Sequence, residues 1–277
     1  MDGESLNGRV TTPPPARRQA LRTGAGIAAA AALTGTGACA PPGPPATKAA
    51  PATTPAPPRT TAPTPTGTAP ASPRAHPGLP AQIAHGPRTR PRVALTFHGQ
   101  GDPALAEALL RAAERGGARV TVLAVGDWLD AHPALARRIL DGGHELGNHT
   151  QRHRAVNDLS EAEAYAEIEE CARRLRRLTG SIGTWFRPSR APRASPLLVR
   201  LARRAGYPHV LSYDVDSLDH TDPGADAVTR TVLDAVRPGS VVSLHLGHPD
   251  TVAALPALLT GLDHRGLHAV TTTELLS

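Results

Sequence analysis

The sequence predicts an α/β fold, most simply a barrel of about seven parallel strands, over residues 91–277. Two observations carry this. Short apolar runs alternate with amphipathic, well-capped helical stretches from Arg92 onward. Histidine, aspartate or arginine residues also stand just after several of those runs, where parallel barrels keep their chemistry.

The elements follow in order. "RVALTF" is a buried strand, and "PALAEALLRAAERGG" a helix with proline in its first turn and glycine at its end. "RVTVLAV" is a strand, "PALARRILDGG" a helix, and "HELGNH" holds a short strand. In "SEAEAYAEIEECARRLRRLTG", Ser160 and Glu163 are spaced as a capping box at the start of a long helix. "TWFRP" is a brief strand and "SPLLVRLARRAG" a helix. "HVLSYDV" and "SVVSLHLG" are strands separated by the helix "DPGADAVTRTVLDAVRPG", and "DTVAALPALLTGLDHRG" is helical before the closing "LHAVTTTELL". No internal repeat is visible.

Upstream the composition changes. Residues 40–90 are Pro, Ala, Thr and Gly with almost nothing large and apolar, and predict a disordered, proline-stiffened linker. Residues 1–39 read as an export signal. Arg17-Arg18 precede a short Ala-rich stretch and then "TGAC", which ends at Cys39. This resembles a twin-arginine leader followed by a lipoprotein box, although Thr36 stands where leucine is usual. Lipid on Cys39 is then the only expected attachment to a membrane, and simple cleavage near Ala38 or Ala40 is the alternative. The expected location is outside the cell, free or anchored facing the wall.

The formal charge is +6, carried by arginine, since Lys48 is the one lysine. The arginines lie along helical stretches, and aromatic residues make up 3% of the chain. A protein that stacks nucleic-acid bases needs more aromatics, so no nucleic-acid partner is expected. Cys171 lies in a helical stretch with no partner cysteine in the folded part, which predicts no disulfide there. A monomer is expected.

The strongest chemical motif is "HTQRH". His149 and His153 are four apart, a spacing that puts two imidazoles on one side of a helical turn and suits a divalent metal such as zinc. A third, oxygen ligand from elsewhere would leave one position open for water. "LTFHGQGDP" raises a separate question. His98 ends a strand as a ligand, a base or a turn residue. Asp102 precedes Pro103 as an oxygen ligand or a helix N-cap.

Together "TF…GDP", "GHELGNHTQRH", "WFRPS", "YDVDSLD" and "VVSLHLG" resemble, in order and spacing, the polysaccharide deacetylase family (the NodB-homology domain). The resemblance runs from about Val93 to the C-terminus. It implies a distorted (β/α) barrel with one divalent metal, zinc in most members, and hydrolysis of N-acetyl or O-acetyl groups on a glycan. It places the metal on His149 and His153. It gives Arg187 the task of orienting the catalytic acid, Asp216 (with Asp219 as the alternative) that of a charged partner, and His245 that of protonating the leaving amine. The family's Thr-Phe-Asp-Asp-Gly-Pro is here Thr96-Phe97-His98-Gly99-Gln100-Gly101-Asp102-Pro103. His98 is expected to replace the aspartate base or touch the metal, and Asp102 to supply the oxygen ligand. Arg-Pro-Pro-Tyr has become Arg187-Pro188-Ser189-Arg190, with Trp185 a candidate replacement for the missing aromatic.

The expected activity is metal-dependent removal of acetyl groups from an N-acetylated cell-wall or chitin-like polysaccharide. The broken acidic pair supports an alternative, a silent wall-glycan-binding lipoprotein. A hydrolase of non-sugar amides or esters is a third.

Overall fold

A computed structural model of the chain describes residues 72–277. The expected export signal lies outside the described residues, as does the expected linker up to residue 71.

The strands are β1 (Gln82–Ile83), β2 (Arg92–Gly99), β3 (Thr121–Ala124), β4 (Glu145–Asn148), β5 (Val210–Leu211), β6 (Val215–Asp216), β7 (Val241–His245) and β8 (His268–Ala269). The α-helices are α1 (Pro103–Arg115), α2 (Gly126–Ala131), α3 (Ala134–Asp141), α4 (Glu161–Thr179), α5 (Pro196–Arg204), α6 (Ala225–Ala235), α7 (Pro249–Asp263) and α8 (Thr272–Leu275). One sheet runs β4-β3-β2-β7-β6, with β8 on the start of β2, and β1 pairs with β5; every one of these pairings is parallel. Phe186 bridges Asn148 on one side and Val210 on the other, so a single residue joins the two sheets into an irregular barrel. The α/β class with parallel strands is as the sequence predicts.

The start of the domain is not. Pro91 is the expected boundary, yet β1 lies nine residues upstream of it at Gln82 and pairs with β5, and Ile83 is fully buried. His76 stacks on Trp185 at 5.5 Å between ring centroids. A two-residue strand in a proline-rich stretch has no periodicity to betray it, so composition alone assigns it to the linker.

Side-chain alternation along the strands divides the core. On β2, Val93, Leu95 and Phe97 point outward into the layer against the helices, with Val122 of β3 and Val242 and Leu244 of β7. Ala94 points inward with Leu123, Leu211, Val241 and Trp185. Thr96, also buried, donates to the Val242 carbonyl at 2.6 Å. The same alternation puts His98 on the inner side at the carboxyl end of the strand.

The capping box at Ser160 and Glu163 forms as its spacing predicts, and Gly180 closes α4 in the left-handed conformation. Cys171 is a free thiol, buried on α4 and aimed at the Ala124 carbonyl. Its burial raises the thiol's pKa, which removes the thiolate that reactivity requires. No helix among the described residues is long and apolar enough to cross a membrane.

Candidate active site

Parallel strands deliver their carboxyl ends to one mouth of the barrel. His98 from β2 and His245 from β7 are register partners on neighbouring strands, so their side chains project together. His149 follows β4, Arg187 follows the Phe186 bridge, and Asp219 opens a 3-10 turn (Asp219–Thr221) after β6. The five non-glycine residues with positive φ among those described are Thr150, His153, Arg190, Leu218 and Asp222, all in the loops leaving these strands. Such backbone costs of order 1 kcal/mol or more per residue and concentrates where function imposes it.

The central feature is a chain of hydrogen bonds. Arg187 is fully buried, and its guanidinium donates to the carbonyls of Leu211 and Ser212 and, at 3.2 Å, to His98 Nε2. His98 Nδ1 lies 2.9 Å from His245 Nε2. His245 Nδ1 lies 2.7 Å from Asp219 Oδ1. Asp219 Oδ2 accepts from the His245 backbone N–H at 2.7 Å and from the Thr251 hydroxyl at 2.6 Å.

His149 stacks on His98 at 4.3 Å, and His153 lies 5.0 Å from His149, between ring centroids. The Nδ1 of His149 faces the Arg187 carbonyl at 3.1 Å. A carbonyl only accepts, so Nδ1 carries the proton and Nε2 keeps a lone pair. That Nε2 is buried and has no protein partner.

These imidazoles are held neutral. Burial, then the neighbouring His149, Arg187 and His245, lowers the pKa of His98 well below its usual value. Burial followed by His153 does the same to His149. His153 falls to about 4 through burial, Arg190 and His245. Burial brings Arg187 down to about 10. Burial also raises the pKa of Asp219, but its bonds to His245 and Thr251 outweigh that and leave it lowered.

Four expectations are refined. Asp219, the alternative, is the acid beside His245, while Asp216 acts electrostatically on the buried Arg187 and raises its pKa against the larger lowering by burial. Asp216 itself accepts from the Tyr213 hydroxyl and the Leu218 N–H. The left-handed backbone at Leu218, φ 58°, turns the chain between the two aspartates.

Asp102 is not gathered with His149 and His153 as a third ligand. Its exposed carboxylate caps α1 by accepting from the Ala104 N–H at 2.8 Å. The longer loop is pinned at Gly101. Gly101, φ 97°, lies so close to Gly247 that a Cβ would stand 2.5 Å from the Gly247 Cα, and Trp128 Nε1 donates to the Gly101 carbonyl at 2.8 Å.

His98, the expected base, has both ring nitrogens engaged. Trp185 is packed in the barrel core with Ile83 and Leu123.

Sequence reasoning missed Thr251 and Leu218. Thr251 lies in the first turn of α7, where no motif marks it. Leu218 is the only exposed large hydrophobic side chain among the described residues, and it adjoins Asp219 at the mouth.

The donor set meets a metal's needs in part. His149 and His153 are neutral, the form that ligates, and the orphaned Nε2 of His149 is a lone pair awaiting an electrophile. No carboxylate comes with them from β2. A Cβ at Gly99 would stand 2.9 Å from Val122 Cγ1 and 3.0 Å from the Ala124 Cα, so β3 has closed over that position. Among the described residues, Asp219, His220 and His245 form the one trio whose ligand atoms converge closely enough to hold a metal ion. Both oxygens of Asp219 are already hydrogen-bonded there.

Comparison with known proteins decides the family. A chitooligosaccharide deacetylase from Sinorhizobium fredii is 30% identical over 191 residues, which cover 64% of this chain and 87% of the relative. The chain belongs to the polysaccharide deacetylase family. The family's sequence model, described as polysaccharide deacetylase, matches residues 85–210. A peptidoglycan-N-acetylglucosamine deacetylase of Listeria monocytogenes is 29% identical over 188 residues, and this chain spans 39% of its length. Among solved structures, a pseudoenzyme of carbohydrate esterase family 4 from Bacillus anthracis superposes with a TM-score of 0.68 at 25% identity, covering 72% of this chain and 70% of the other. A mutant of that pseudoenzyme with restored enzymatic activity matches equally well.

Proposed function

We propose that the chain is an exported, metal-dependent hydrolase that removes N-acetyl or O-acetyl groups from a cell-wall or chitin-like polysaccharide. The observation that carries this reading is the Asp219–His245 pair standing beside His149 and its partnerless Nε2. An acid for the leaving nitrogen and a metal-competent imidazole pair share one mouth. The named activities of the relatives, on peptidoglycan and chitooligosaccharide, support the substrate class. The leader ending at Cys39 and the proline-rich stretch after it support delivery to the wall.

His149 and His153 would hold the metal, with zinc the expected ion. It would supply a Lewis acid to the acetyl carbonyl and to the attacking water. The rest is done by side chains. Arg187 fixes His98 and, through its carbonyl, the tautomer of His149. Asp219 fixes His245 with Nδ1 protonated and stabilises the imidazolium form. His245 Nε2 is the atom that would pass a proton to the departing amine.

A second reading is favoured by one observation. Counted from the strand, the position of the family's ligand aspartate falls on Gly99, and counted back from Pro103 it falls on Gly101; neither carries a carboxylate, and β3 packs closely against Gly99. On this reading the chain binds wall glycan without turning it over, and its likeness to a pseudoenzyme supports that. Acetate release from N-acetylated glycan fragments, compared between wild type and His245→Ala, separates the two. The hydrolase reading expects release that the substitution abolishes. A binder shows glycan affinity in both proteins and release in neither.

A further inference from the structure

The hydrogen-bond chain at the barrel mouth has a fixed direction. A guanidinium only donates, so the Arg187 N–H at 3.2 Å makes His98 Nε2 an acceptor. A neutral imidazole has one N–H, so the proton of His98 is on Nδ1. Nδ1 therefore donates across 2.9 Å to His245 Nε2. His245 in turn has its proton on Nδ1 and donates to Asp219. Each link forces the next, and none has to be chosen.

The consequence falls on His245 Nε2, the nitrogen the proposed reaction needs. Its lone pair already receives the N–H of His98. It cannot take up a proton and present it to a substrate while that contact lasts. An imidazolium at His245 would turn an N–H toward the N–H of His98, and His98 cannot escape by changing tautomer, because Arg187 faces its other nitrogen.

We infer that His98 is a positioning residue that holds His245 Nε2 closed, and that His245 is freed for chemistry only when the His98 contact is broken. This role differs from that of a base. A base at His98 would need the very lone pair that Arg187 occupies. The inference deepens the proposed reaction, since it concerns that reaction's acid, but its test does not depend on turnover.

The test is carbethoxylation of histidines by diethyl pyrocarbonate, mapped residue by residue by mass spectrometry on the full chain. The reagent needs a free imidazole lone pair. His220, exposed and 5.4 Å from His245 between ring centroids, is the internal reference. In the wild type, His245 is expected to react at least about tenfold more slowly than His220. His98→Ala is expected to raise the His245 rate at least tenfold relative to His220. His98→Asn puts an amide N–H where Nδ1 was, and is expected to keep His245 slow. An unchanged His245 rate in His98→Ala overturns the inference, as does an Asn variant that behaves like the Ala variant.

Should the Ala variant not fold, the wild type answers alone. A two-bond ¹⁵N–¹⁵N coupling is expected between His98 Nδ1 and His245 Nε2. No coupling, with His245 protonated at Nε2, overturns the closed arrangement. Acetate release enters neither arm, so the role of His98 is decided even in a chain without deacetylase activity.

Discussion

Asp219 grips His245 twice, with one carboxylate oxygen 2.7 Å from the ring Nδ1 and the other 2.7 Å from the residue's own backbone N–H. The ring is thereby fixed relative to its own strand, and Thr251 adds a third bond at 2.6 Å. Asp219→Asn keeps the shape but removes the charge that stabilises an imidazolium. Turnover of an acetylated glycan is expected to fall roughly 10²–10⁴-fold, read from kcat. The same substitution carries a pH signature in stability. The pKa of Asp219 is lowered in the fold, so its contribution is complete above the unfolded value near 3.8 and is lost as pH falls through the lower folded value. Wild type and variant should therefore differ most in denaturant melts at neutral pH and converge in acid.

Asp102 gives a contrasting expectation. Its carboxylate caps α1, so Asp102→Ala should cost about 0.5–2 kcal/mol of stability, and Asp102→Asn, which also caps, much less. Neither should change the amount of zinc bound. Thermal melts check the first statement and metal analysis the second. Zinc lost from both Asp102 variants would put the carboxylate back among the ligands.

His149→Ala removes the partnerless Nε2 and should abolish zinc binding measured by titration with the ion. A pair of imidazoles without a carboxylate is a poorer site than a three-ligand one, so a chelator should strip the wild type readily. Full zinc occupancy in the variant would move the metal elsewhere, with Asp219, His220 and His245 the next place to look.

A chain shortened to begin at Pro91 loses β1. That uncovers the edge of β5 and the cavity of Ile83, and removes His76 from Trp185. The loss should be about 2–4 kcal/mol relative to a chain beginning at residue 72, by comparison with large-to-small changes in cores. Equal denaturation midpoints would mean that the proline-rich approach is a tail after all.

Much of this was legible in the sequence, for reasons that the exceptions make plain. The apolar run "RVALTF" was enough to put His98 at the carboxyl end of a strand, and the capping box at Ser160 fixed the start of α4. His149 and His153 meet as ring neighbours, but on an irregular loop with left-handed backbone at Thr150 and His153 and not on the helical turn that their spacing suggested. What failed lay on irregular backbone. The choice between Asp216 and Asp219 hangs on a left-handed turn at Leu218, which no period encodes. Asp102 offered two readings, cap and ligand. The cap forms, and the packing of Gly101 on Gly247 that fixes its loop joins segments nearly 150 residues apart. The state of His98 could not be read from its neighbours in sequence at all, because it is set by a guanidinium from the Phe186 bridge and an imidazole from β7.

The most direct measurement is acetate release from N-acetylated peptidoglycan and chitin fragments by the full chain, zinc-loaded and then chelator-stripped. The account predicts release that needs the metal and disappears in His245→Ala. No release from any acetylated glycan, with zinc bound and glycan affinity intact, would contradict it and leave a binding domain in its place.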